Sequence, residues 1–86
     1  MNITENERKL LQGARSSDFG DAYLDEYPWV FDVIDRSGLE SKVARGVLSS
    51  LVKKDLIEIE SSEEPSLRFT ELGKRMCDEH KIERTR

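Results

Sequence analysis

Lys42, Arg45 and Ser49 form the most chemically suggestive spacing in this 86-residue sequence. Positions i, i+3 and i+7 of a helix fall on one side, so the three would project together. An ammonium, a guanidinium and a hydroxyl side by side make a donor set for phosphate oxygens and base edges. Ser41, Gly46, Ser50 and Lys53 extend that side, with Ser41 near the helix start, where free N–H groups favour an anion. Gly46 costs about 1 kcal/mol relative to alanine inside a helix, so it points to close approach by another backbone or by a nucleic acid. The competing reading is a solvated helix face with no ligand.

Cys77 and His80 are the sole residues of their types. Three apart on a helix, they would share a face, but two ligands do not complete a tetrahedral zinc site. A Cys–His nucleophilic pair would also need a pocket with an oxyanion site, and nothing in the sequence supplies one. No phosphate-binding glycine loop or hydrolytic carboxylate pair is visible either. The expectation is therefore no catalytic residue, no metal, no cofactor and no enzymatic activity.

Composition sets the frame for these side chains. The length suits one thin-cored domain, so function is expected on a surface rather than in a deep pocket. No apolar run approaches the roughly 18 residues that span a bilayer, and the N-terminal stretch lacks the apolar core of a signal peptide. A single cysteine excludes an internal disulfide framework and fits a reducing cytoplasm. The net charge is −4, but its distribution matters more. Residues 18–35 hold Asp18, Asp21, Asp25, Glu26, Asp32 and Asp35 with no Lys or Arg. Residues 36–54 hold Arg36, Lys42, Arg45, Lys53 and Lys54 against Glu40 alone, and the acids return after Asp55. A basic stripe between acidic flanks can meet a polyanion while the rest of the surface repels it.

The elements that must carry the stripe follow from periodicity. Thr4 and Glu7 form a capping box ahead of a helix over 5–15 with Leu10, Leu11 and Ala14 on its apolar face. Residues 16–21 read as a loop, and Tyr23, Leu24 and Tyr27 as a brief helical turn. Pro28 suits the first turn of a second helix reaching about Asp35, its core face built from Trp29, Val30, Val33 and Ile34. Gly38 is placed to end it. A third helix over 40–54 sets Val43, Ala44, Val47, Leu48, Leu51 and Val52 against the basic side. Residues 56–60 alternate as a strand, 61–66 turn, and 67–69 return as its hairpin partner. Thr70 caps a last helix with Leu72 and Met76 inward. We expect one domain over 1–80 and a frayed tail over 81–86.

The stretch from Val43 to Ile57 resembles the recognition helix and first wing strand of winged helix-turn-helix domains, particularly MarR-like and small phage-encoded members. Phe69-Thr70-Glu71-Leu72-Gly73 resembles the pattern that closes the wing in that family. The resemblance covers roughly residues 28–80. It implies a mainly α fold with a small β-hairpin: a three-helix core, a wing and a C-terminal helix. Asp55 stands where the family usually has glycine in a left-handed conformation. The wing is also acidic, with Glu58, Glu60, Glu63 and Glu64 against Arg68.

The resemblance implies a sequence-specific transcriptional regulator, with the helix over 40–54 reading the major groove of double-stranded DNA through Ser41, Lys42, Arg45, Gly46, Ser49, Ser50 and Lys53. Such regulators often work as homodimers. The alternative is a winged-helix protein-interaction module, a phage-encoded modulator of a host protein being one form. It would use the acidic wing (Glu63, Glu64, Arg68) and an aromatic acidic segment in which Tyr23, Tyr27 and Phe31 are the interface candidates.

Overall fold

A computed structural model describes residues 2–85 and shows a small α+β domain of four α-helices and one two-stranded antiparallel hairpin among them. The helices are α1 (Glu5–Arg15), α2 (Val30–Ser37), α3 (Ser41–Lys53) and α4 (Glu71–Glu79). The strands β1 (Ile57–Glu60) and β2 (Ser66–Phe69) lie between α3 and α4. No helix among the described residues is long and apolar enough to cross a membrane.

Local chemistry explains most boundaries. Glu7 donates its N–H to Thr4 Oγ1 at 3.1 Å, while Thr4 N–H reaches Glu7 Oε1 at 2.8 Å, so the capping box starts α1 as expected. Gly38 ends α2 with a φ of 75°, and Asp55 adopts the left-handed backbone (φ 60°) between α3 and β1. Asp tolerates that conformation better than most residues, which lets it replace glycine there. Thr70 Oγ1 caps α4 by accepting from the Gly73 N–H at 3.0 Å.

The core joins Leu10, Leu11 and Ala14 of α1 to Val33, Ala44, Leu48 and Leu51, and to Leu56, Ile57, Leu67, Phe69, Met76 and Cys77. Gly13 sets the closeness of α1 and α2, since a Cβ there would lie 2.6 Å from the Val33 carbonyl oxygen.

Three expectations need correction. First, Pro28 lies outside α2. Its carbonyl accepts from Leu67 N–H, Trp29 bridges Ser66, and the N–H of Val30, the first residue of α2, donates to the Pro65 carbonyl, so Pro28 and Trp29 run extended along β2. Helical spacing therefore does not apply at Trp29, which is 38% exposed rather than in the core. Second, Val43 and Val52 lie on the open side of α3, leaving Ala44, Leu48 and Leu51 as its buried stripe. Third, the described part of the tail, residues 81–85, docks instead of fraying. Ile82 is 1% exposed within the core cluster. Arg15 Nη1 donates to the Ile82 carbonyl at 3.1 Å, and Arg84 donates to the carbonyls of Arg15 and Ser17. One apolar residue among charged ones gives no periodic signal, yet it suffices to anchor a short segment on α1.

Candidate nucleic-acid interface

The exposed side of α3 presents Ser41, Lys42, Arg45, Gly46, Ser49 and Lys53. The buried stripe of Ala44, Leu48 and Leu51 fixes the rotation of the helix, and the remaining positions turn outward as a consequence. Among the described residues, Lys42, Arg45 and Lys53 make no ion pair or hydrogen bond through their side chains. Most other cations are engaged. Arg15 holds Asp21, Arg36 holds Asp18, Lys54 holds Glu7, Arg68 holds Glu58 and Lys74 holds Asp25. Arg8 and Arg84 donate to backbone carbonyls.

Gly46 has no atom within 4 Å of where its Cβ would stand, so no protein backbone approaches it. Its small size instead flattens the open face. Ser50 does not belong to that face. It is half-buried and donates its hydroxyl to Glu7 Oε2 at 2.5 Å. Ser49 and Ser50 are neighbours in sequence but point about 100° apart, and α1 covers the second.

Arg45 borders an apolar groove of about 350 Å³ with Phe31, Ile34 and Leu48, and with Glu64 in the hairpin turn. Glu63 and Glu64 are both exposed in the hairpin turn. Arg68 pairs with Glu58 at 2.9 Å, and its guanidinium lies 5.8 Å from the Tyr27 ring centroid. The hairpin's one cation is thus held by Glu58 of the same hairpin and lies near the Tyr27 ring.

The interface candidates separate. Tyr23 is half-buried, donates its hydroxyl to Asp78 at 2.9 Å and carries the Arg15 guanidinium 4.4 Å above its ring. It serves the fold. Tyr27 and Phe31 are exposed. Phe31 stacks on Trp29 at 5.5 Å, and Trp29 packs on Phe19 at 4.8 Å, giving an aromatic row in which Phe19 is 58% and Phe31 54% exposed. Phe19 and Trp29 escape sequence reasoning because non-helical backbone brings them together.

The acidic segment is largely used internally. Asp32 accepts from the Ser17 hydroxyl and the Asp18 N–H, and Asp21 accepts from Arg15 and the Tyr23 N–H. Asp18 and Asp25 hold Arg36 and Lys74, and Glu26 accepts from the Asp21 N–H. Carboxylates committed in this way cannot act as a string of free phosphate mimics.

Cys77 is buried, and desolvation pushes its thiol up to about 12. His80 sits past the end of α4, where its backbone N–H closes the helix on the Met76 carbonyl at 2.9 Å. No group of three or more metal-ligand residues converges among the described residues.

The class defined by these observations is a small α+β domain with one open basic helix face, an acidic hairpin and an exposed aromatic row. Comparison with protein-family models, with curated proteins and with solved structures found no match.

Proposed function

We propose that the protein is a winged helix-turn-helix regulator that binds double-stranded DNA, with α3 in the major groove. The observation that carries this reading is the set of three unpaired cations, Lys42, Arg45 and Lys53, on the exposed side of α3. A helix is the element the major groove admits, and cations without protein partners are those that phosphates and base edges can recruit. Two features of the architecture support it. The order α1, α2, α3, hairpin, α4 is the order such a fold would have, and Trp29 bridges Ser66 as a third strand position beside β2. Such a protein would act in the cytoplasm, where the DNA of a phage or bacterium lies.

The test is a titration of the protein against random duplex DNA over a range of salt. Affinity that falls steeply with salt, and that disappears in Lys42→Glu/Arg45→Glu, is the expected result. No binding at low salt would overturn the reading.

The second reading is a protein-interaction module. The exposed row Phe19–Trp29–Phe31 favours it, because aromatic residues are enriched where proteins meet. A contact through Phe31 would cover Arg45 across the shared groove, so a protein partner there and DNA on α3 would exclude each other.

A further inference from the structure

The hairpin has one open edge, and the hydrogen-bond parity shows which groups line it. Thr70 N–H donates to the Leu56 carbonyl at 3.1 Å, so the ladder bonds of β1 to β2 fall at Leu56, Glu58 and Glu60. The N–H and C=O groups of Ile57 and Ile59 therefore point away from β2. On the far side of β2, Leu67 is already bonded to Pro28, so the outer edge of β1 is the one left open in the sheet.

A groove of about 510 Å³ runs along that edge. Val52, 44% exposed, and the half-buried Ile59 give it an apolar lining, and Asp55, Glu58 and Glu60 rim it together with Arg68, the one cation there, whose charge Glu58 offsets. Glu58 has Arg68 as a partner, whereas the carboxylates of Asp55 and Glu60 have none among the described residues.

We propose that the outer edge of β1 accepts an extended basic segment of a partner protein as an added strand. The groups of Ile57 and Ile59 supply main-chain hydrogen bonds, and side-chain alternation supplies selectivity. Lysine or arginine at every second position faces Glu58 and Glu60, and the apolar residues between them settle over Val52. A second copy of this chain is a poor occupant. The antiparallel register that bonds both residues, Ile57 opposite Ile59, sets Glu58 directly against its own counterpart, and like charges directly opposite are destabilising. The same glutamates that guard the edge against self-association select a cationic strand. DNA is excluded from this edge by its acids, which separates the site from the open face of α3.

The test uses an acetylated, amidated heptapeptide in which lysine alternates with valine, added to the isotope-labelled protein and followed by NMR. The expected result is shift changes confined to residues 52–60 and slowed solvent exchange at the Ile57 and Ile59 amides. Glu60→Lys should weaken binding by about tenfold. The same peptide N-methylated at its valines, which stand opposite Ile57 and Ile59 in an antiparallel strand, keeps its charge but loses the donors that face β1, and it should not bind. Equal binding of the N-methylated peptide would reduce the effect to charge attraction and overturn the proposal. So would equal binding of a glutamate–valine peptide, failure to bind at millimolar peptide, or dimerisation through β1 without peptide.

Discussion

Glu7 Oε1 accepts a hydrogen bond from Lys54 Nζ at 2.8 Å, tying the first turn of α1 to the end of α3. The same carboxylate accepts from Thr4 N–H and the Ser50 hydroxyl. Burial pushes its pKa up, but Lys54, Ser50 and Thr4 outweigh that and hold it below the ordinary value of 4.5. A lowered folded pKa contributes stability that is present above about 4.5 and is lost as pH falls through the lower folded value. Urea unfolding from pH 7 to 3 should show that loss. Glu7→Gln should remove that component of the pH dependence and lower stability at pH 7 by roughly 1–3 kcal/mol.

The docked tail predicts that Ile82 matters as much as a residue of a central helix. Ile82→Ala should cost about 2–5 kcal/mol, the range for emptying a buried aliphatic site. Thermal unfolding would measure it. A change within about 0.5 kcal/mol, typical of a surface position, would show that the tail is not anchored.

Two helical glycines should respond oppositely to alanine. Gly46 faces open space, so Gly46→Ala should stabilise by about 1 kcal/mol through helix propensity. A Cβ at Gly73 would stand 2.0 Å from the Leu56 carbonyl oxygen, so Gly73→Ala should destabilise despite the same propensity gain. Chemical denaturation gives both signs. If α3 enters a groove, Gly46→Ala should also weaken DNA binding while the fold gains stability.

The acidic hairpin turn makes a prediction opposite in sign for the two functional readings. Glu63→Lys/Glu64→Lys should strengthen DNA binding and steepen its salt dependence, because a repulsive pair becomes attractive next to Arg45. Loss of binding to a protein partner, with DNA affinity unmoved, would favour the interaction module.

Cys77 should be inert in the folded protein. Its thiol, raised to about 12, stays protonated at pH 8 and is also buried. The thiolate is the nucleophile, so alkylation should follow unfolding and accelerate in denaturant. Fast labelling under native conditions would contradict the buried placement.

Patterns confined to a few residues were legible in the sequence, because local rules decide them. The Thr4–Glu7 capping box, the stop at Gly38, the alternation of the hairpin and the Thr70 cap all appear where spacing and side-chain chemistry place them, while the left-handed backbone at Asp55 followed only from the resemblance. The outward side of α3 was readable in part: Lys42, Arg45, Ser49 and Lys53 face out as their spacing requires, whereas Val43 and Val52 join them and Ser50 does not. A helix with one apolar stripe has one way to face its core.

Tertiary structure alone decided what each of these side chains met. The Glu7 carboxylate that caps α1 also reaches Ser50 and Lys54, 43 and 47 residues away, and so removes Ser50 from the basic face. Pro28 and Trp29 pair with β2 instead of opening α2, because unpaired backbone N–H and C=O groups along β2 had to find partners. That pairing turns Trp29 outward to join Phe19 and Phe31. Ile82 closes the core from a segment with no pattern of its own. Each of these contacts joins residues far apart in the chain, where side-chain type shows that a partner is needed and packing decides which one is there.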